Sequence, residues 1–323
     1  MQQPLVSVIV ANHNYGRFLP HCIDSVLAQT YDPIELVVVD DGSTDDSRAV
    51  LASYGSKVRA IFQQNAGQAA ALSAGFASSR GEIICLLDAD DGWYPHKVAT
   101  VVAALQANRA VLWLRHKLAM VNEQLEPLKG VMPTFRGSGM VPGDPVLLLE
   151  GGVTAGTSLV MRRTLAERIF PVVITPQLAL DADDTVILAK IFAQRATGYS
   201  LDAVLGYYRK HAGARFSAND LPRLLRREEA LATALGNVLG YGRPSSSYKL
   251  ATVLGAMEGA PWWAPQRLGN YLGGLRRAAR LWTRPRLLAR QTLALTYAFA
   301  APRSWLHKMQ TRSVAPHRSD ELG

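Results

Sequence analysis

Four short apolar runs, each stopped by polar or glycine residues and followed by a helical pattern, constrain this chain most. They are LVSVIVA (5–11), IELVVV (34–39), a weaker run at 58–62 and EIICLL (82–87). Each is short for a helix and too continuously apolar to face water on one side, so each reads as a strand buried on both faces. Between them, residues 17–29 place Phe18, Ile23, Val26 and Leu27 near helical spacing. Thr44 or Asp45 offers an N-cap for the next helix, and 67–79 is a helix of small residues. Pro95 opens a further helix carrying Val98, Val101, Val102 and Leu105. Such alternation folds into an α/β architecture with a mostly parallel sheet flanked by helices. Ligands then sit beyond the carboxyl ends of the strands. Two of those ends are acidic: Asp40-Asp41-Gly42-Ser43 and Asp88-Ala89-Asp90-Asp91.

The remainder is less regular. A strand is expected at 111–121, a loop at 127–145, a return to the sheet at 151–161, a helix at 184–193 and a strand at 199–208. Beyond 219 the pattern is helical, at 221–239, 246–257, 266–282 and 286–300. With 323 residues, 48% of them apolar, the chain has material for a real core, which excludes full disorder. Cys22 and Cys85 show no CxxC spacing, which excludes a disulfide scaffold and a structural zinc site and fits a reducing compartment. No cationic segment precedes the first apolar run, and no uncharged run reaches the ~18–20 residues that span a bilayer. The expectation is therefore a cytoplasmic protein, at most peripheral on the inner face of the cytoplasmic membrane.

The net charge of +9 is unevenly distributed. Residues 1–210 carry 18 Lys/Arg against 20 Asp/Glu, and residues 211–323 carry 17 against 6. The basic, apolar helices of 216–323 suit an anionic membrane surface, or packing within a homo-oligomer. Nucleic acid is not expected as a partner, because the acidic strand ends repel phosphate unless a metal intervenes.

Three acidic clusters and one basic segment can carry chemistry. Carboxylates two apart in a strand-end turn, Asp88 and Asp90, can hold a hard divalent cation with water and phosphate oxygens. A solvated turn that caps the next helix is the plainer reading. At Asp40-Asp41, a carboxylate can accept from a base N–H or from ribose hydroxyls, while Gly42 lets backbone approach. A cap and a turn glycine account for one of those aspartates, not both. Asp181-Ala182-Asp183-Asp184 precedes a helical pattern, where it can cap the helix or provide a general base for an acceptor hydroxyl. In Tyr207-Tyr208-Arg209-Lys210-His211, the histidine can ligate a metal or contact diphosphate, and Arg209 can neutralise charge. GxxxxGK[ST], GxSxG and HExxH are all missing, and GxGxxG does not follow the first strand.

These segments together resemble glycosyltransferase family 2. The matching pieces are VSVIVANHNYGRFLPHCIDSVLAQTY (6–31), ELVVVDDGSTDDS (35–47), NAGQAAALSAGFASSRGEIICLLDADD (65–91) and LGYYRKHAG (205–213), in the family's order. The resemblance implies a GT-A (Rossmann-like) domain over 1–215, with a donor-binding half at 1–110 and an acceptor half at 111–215, followed by a basic helical extension at 216–323. It implies inverting transfer of a sugar from a nucleotide-diphosphate sugar, UDP favoured, to a hydroxyl on a glycan or lipid-linked acceptor, as in surface-polysaccharide synthesis. Asp41 would match the carboxylate that recognises the base, with Ala11, Asn14 and Asp40 around the same pocket. Gly67, Gln68, Asp88, Ala89 and Arg209 would meet the rest of the nucleotide sugar. Asp90, Asp91 and His211 would hold Mn2+ or Mg2+, and Asp184, or Asp183 in the neighbouring register, would be the base. One departure is Leu72-Ser73, where the family often has Arg-Asn, so no phosphate-facing arginine comes from that helix. The competing readings are a sugar nucleotidyltransferase, whose glycine-rich basic signature is missing after the first strand, and an inactive nucleotide-sugar-binding homologue.

Overall fold

The computed structural model describes residues 3–132, 137–143, 156–172 and 183–212, with burial and side-chain contacts from 186 onward in the last segment. They belong to one compact unit, Met1–Leu148 with Gly152–Ala212. The helices and membrane-facing segment expected beyond 215, and Asp181, lie outside the described residues.

The first four strands form where the apolar runs predict them: β1 (Val6–Asn12), β2 (Ile34–Asp41), β3 (Arg59–Gln63) and β4 (Ile83–Asp88). Helices α1 (Leu19–Leu27), α2 (Ser47–Ser53), α3 (Gln68–Ser78) and α4 (Lys97–Ala107) separate or follow them. Pro95 lies just ahead of α4, whose N-cap is His96, rather than in its first turn. The second half supplies β5 (Gly92–Trp93), β6 (Trp113–Val121), β7 (Pro127–Met132), β8 (Gly139–Val141), β9 (Leu159–Arg162) and β10 (Gly198–Arg209). Two helices complete it, α5 (Arg163–Ile169) and α6 (Asp183–Ala193).

The strand order is β3-β2-β1-β4-β9-β6-β10-β5, with β7 on β6 and β8 on β10. Strands β1, β2, β3, β4, β6 and β10 run one way, and β5, β7, β8 and β9 run against them. Even-numbered residues of β1 (Val6, Val8, Val10) pack with Leu19, Ile23, Leu51, Val98 and Val101 of α1, α2 and α4. On the opposite face, Val37 and Val39 meet Ala71 of α3. The central strands are thus covered on both sides, as their unbroken apolar sequence requires. Gly75 lets α3 sit close on that face: a Cβ there would stand 2.4 Å from Ile9 Cγ2.

Two expectations are overturned. β3 is not buried on both faces: it ends the strand order, with Arg59 and Phe62 exposed. The stretch at 127–145 is not simply a loop, since β7 turns back on β6 through a tight connection in which Leu125 N–H donates to Asn122 O and Asn122 N–H to Glu126 O. β8 then pairs with β10. Both strands are short, exposed edges, so neither carries the apolar signature of a buried strand.

Candidate active site

β1 separates β2 from β4, and the connecting helices cover opposite faces of the sheet, α1 and α2 one and α3 the other, the kind of switch point where α/β folds leave a crevice. Register pairs Asn12 with Asp40 on one side and Ala11 with Asp88 on the other. The two acidic strand ends therefore flank one strand end. The loop after β1 is tied to the loop after β2. Asn12 Nδ2 donates to Asp40 Oδ1 (3.3 Å) and Ser43 Oγ (3.2 Å), and Asn14 Oδ1 accepts from Thr44 N–H at 2.7 Å. Asn14 holds a left-handed φ of 58°, which asparagine tolerates better than most residues. His13 Nδ1–H donates to Asp41 O at 2.8 Å, which leaves Nε2 as the ring's acceptor, 3.1 Å from the Asn65 amide.

The two aspartates ending β2 do different work. Asp40 is fully buried and turned inward: Oδ1 accepts from Asn12 and from Ser43 N–H, and Oδ2 from Arg48 Nε at 3.3 Å. The sequence grouped it with the nucleotide contacts, whereas its oxygens are occupied in bracing the two loops. Asp41 faces α3. Its Oδ1 accepts from Gln63 Nε2 (2.7 Å) and Ala66 N–H (2.8 Å), and its Oδ2 from Gly67 N–H (2.8 Å). Gly67, at φ +89°, is the N-cap of α3 in a conformation that side chains resist, so Asp41 fixes where that helix begins. Ala11 packs beside Val37, Val39 and Ala71.

The turn after β4 is the second centre. Asp88 Oδ1 accepts from Gln68 Nε2 at 2.8 Å. Asp90 Oδ2 lies 3.0 Å from His211 Nε2, and a carboxylate can only accept there, so that nitrogen carries the proton. Asp91 was expected to share the metal with Asp90. It is instead completely buried, with Oδ1 accepting from Arg209 N–H (2.9 Å) and Oδ2 from Thr157 Oγ (2.5 Å). Burial, with Asp90 and Asp88 beside it, pushes its pKa well above the usual carboxylate range. Ala89 points into the apolar core, so only its backbone is left to meet a ligand.

β10 brings the basic segment to this turn. Its pairing with β5 sets Tyr207 against Gly92, where a Cβ would lie 2.2 Å from the tyrosine oxygen. His211 packs against Phe18 (ring centroids 4.5 Å apart) and edge-on to Tyr15 (5.5 Å). The Arg209 guanidinium sits 4.7 Å from the Phe18 ring and 5.8 Å from Tyr207. Arg209 is 2% exposed, and its Nε and Nη2 find no hydrogen-bond partner among the described residues; neither does His211 Nδ1. A buried cation without a counter-ion is costly, and an anion arriving beside it would relieve that cost.

Asp183 and Asp184 open α6, at the positive end of its dipole; their side chains lie outside the described residues. Where the family often carries an arginine, Leu72 is buried, and Ser73 Oγ accepts from Val172 N–H. Thr157, Gln63, His13 and the Tyr15–Phe18 pair all belong to this neighbourhood and were not singled out from the sequence. Only the short polar loop after β1 hinted at any of them.

Among the described residues no three His, Cys, Asp or Glu side chains cluster to hold a metal unaided. The Asp90–His211 pair is a hard oxygen beside an imidazole nitrogen. It fits Mg2+ or Mn2+ only where phosphate oxygens and water supply the remaining ligands, which is how such ions bind at phosphoryl sites. No helix among the described residues is long and apolar enough to cross a membrane.

The glycosyl transferase family 2 profile matches residues 7–170. An uncharacterized glycosyltransferase of Nostoc sp. is 36% identical over 215 residues, 64% of this chain and 65% of that protein; the chain thus spans just under two thirds of that relative. Two solved structures share the fold. Residues 1–349 of S. aureus TarS, in complex with UDP-GlcNAc, superpose with a TM-score of 0.57 at 15% identity over 98% of this chain and 94% of that one. Mannosyltransferase PcManGT from Pyrobaculum calidifontis, in complex with GDP-Man and Mn2+, gives 0.54 at 20% identity over 98% and 86%. The sheet order, the acidic strand ends and the profile match agree: the fold is GT-A, and the chain belongs to glycosyltransferase family 2.

Proposed function

We propose that the protein transfers a sugar, with inversion, from a nucleotide-diphosphate sugar to a hydroxyl acceptor. A UDP-sugar is favoured, as is an acceptor of the kind used in surface-polysaccharide or lipid-linked glycan assembly. The observation that carries this reading is the buried Arg209 guanidinium, whose Nε and Nη2 have no hydrogen-bond partner among the described residues, next to the Asp90–His211 pair. It is a cationic pocket beside an acidic turn, suited to a diphosphate that gathers charge as it leaves. Arg209 then supplies the cation that α3, with Leu72 and Ser73, does not. The TarS complex with UDP-GlcNAc supports the donor class.

In this reading Asp41 and the loop of Ala11 and Asn14 frame the base, while Gly67, Gln68 and Asp88 hold the ribose and phosphate side. Asp40, Asp91 and Ala89 shape the walls. A divalent ion, bound by Asp90 and His211 with the diphosphate, would neutralise charge on the leaving oxygen. His211 would hold such an ion only through a ring nitrogen that carries no proton. Asp184, with Asp183 as its neighbour, removes the acceptor proton from the opposite side of the sugar carbon. We further propose 1–215 as the catalytic domain and 216–323, where the basic excess lies, as the segment that meets an anionic membrane or a second copy of the chain.

A thermal-shift panel of UDP, GDP and their sugars, with and without Mn2+, tests the donor side. Ligand at a hundredfold excess over its dissociation constant adds about 2.7 kcal/mol. One nucleotide class should stabilise the protein, and more so with Mn2+; no response to any member would refute the proposal. Asp184→Asn should keep that stabilisation and lose release of nucleotide diphosphate, and normal turnover by this variant would remove Asp184 as the base.

A further inference from the structure

A single hydroxyl joins the pieces of the acidic turn. Thr157 is completely buried in the 3-10 turn Gly156–Ser158 that precedes β9. Its Oγ accepts from Asp88 N–H at 3.1 Å and lies 2.5 Å from Asp91 Oδ2 and 3.2 Å from Asp88 Oδ2. Its carbonyl accepts from the Trp93 indole N–H at 3.0 Å. Thr157 therefore touches the residue before the turn, the residue that ends it, and the strand that follows. Asp90 lies between these anchors with its Oδ2 on His211 Nε2, so where Asp90 points depends on how Asp88 and Asp91 are held.

We infer that Thr157 is a positioning residue for donor binding, its hydroxyl setting the geometry in which Asp88 and Asp90 face the diphosphate. This rests on the proposed role of that turn in nucleotide-sugar binding. The threonine acts through main chain and carboxylate, and touches neither nucleotide nor acceptor. Thr157→Val keeps the shape and removes the hydroxyl that bonds Asp88 N–H and Asp91 Oδ2. Asp91 retains Arg209 N–H, and the β4–β9 ladder (Ile83–Arg162, Ile84–Met161, Cys85–Val160) is not involved. Thr157→Ser keeps the hydroxyl and loses only a methyl group.

The test is calorimetric titration of full-length protein with UDP, in the presence and absence of Mn2+, alongside melting temperatures. Thr157→Val should weaken UDP binding about tenfold, most visibly with Mn2+ present, and Thr157→Ser should stay within about threefold of wild type, whatever its melting temperature. A threonine that merely stabilises the fold predicts the opposite: Thr157→Val would melt earlier and bind UDP as wild type does, which would overturn the inference. Should Thr157→Val fail to fold, the serine variant decides, because a tenfold loss in a protein that still has the hydroxyl is equally fatal. Wild-type protein that binds no nucleotide removes the functional reading, and this inference with it. Wild type that binds while the valine variant binds equally removes the inference alone.

Discussion

Replacing Asp41 with asparagine changes one atom and should cost more than most surface substitutions. Asp41 is 3% exposed and receives three hydrogen bonds, two on Oδ1 and one on Oδ2. An asparagine oxygen can replace Oδ1 and keep Gln63 and Ala66, but its amide then points a donor at the donating N–H of Gly67. Two bonds lose their charge assistance and one buried N–H loses its acceptor, which sums to about 2–4 kcal/mol. Against a total stability of roughly 5–15 kcal/mol this is a large loss. Urea denaturation measures it, and amide exchange locates it, with Gly67 N–H and the first turn of α3 losing protection while β1 keeps its own. Gln63→Met is the internal control, since it removes one side-chain donor and leaves both main-chain bonds, and should cost no more than about 1 kcal/mol. An asparagine variant within about 0.5 kcal/mol of wild type, with Gly67 still protected, would refute the reasoning.

Three further outcomes are expected. Gly75→Ala drives a Cβ to 2.4 Å from Ile9 Cγ2 and 3.3 Å from Val39 Cγ2; overpacking should exceed the gain in helix propensity and leave a net loss of about 1–2 kcal/mol in urea denaturation. Arg209→Met removes a buried guanidinium whose Nε and Nη2 have no hydrogen-bond partner among the described residues, so stabilisation of the protein by UDP should disappear; intact UDP binding would contradict this. Burial raises the Glu35 pKa, but bonds from Ser7 Oγ and the N–H groups of Arg80 and Gly81 outweigh it and hold the carboxyl below its usual 4.5. The stabilisation is therefore complete above pH 4.5 and lost as pH falls through the lower folded value, so Glu35→Gln should be less stable than wild type at pH 7 and converge with it in acid.

The parts of this fold that were legible in sequence are those whose environment is uniform. β1, β2 and β4 are buried on both faces, so their apolar runs state both element and depth, and each acidic stop marks the end of a strand. β7 and β8 sit at the edge, where a strand can alternate, carry Gly130 and still form, so periodicity has nothing to read. Helix α5 is one short stretch, RTLAERI, packing only Leu165, Ala166 and Ile169. At the site, spacing identified the acidic turn but not which carboxylate faces out. Asp90 and Asp91 are neighbours, and the turn sends one toward His211 and the other inward to Thr157. That partner lies 66 residues away, so no local pattern announces it. Arg209 was legible as a charge; that its Nε and Nη2 have no hydrogen-bond partner among the described residues is a fact of packing.

Gly92 has no chemistry of its own. Because the Tyr207 ring lies where its side chain would be, any heavier residue must push that ring aside, and the ring rests beside the Arg209 guanidinium two residues further along the same strand. A lesion at this glycine would thus mimic the loss of a reacting group in an assay while leaving every such group intact in the sequence. Mutational maps of this protein should show a sensitive point here that no inventory of functional side chains would nominate.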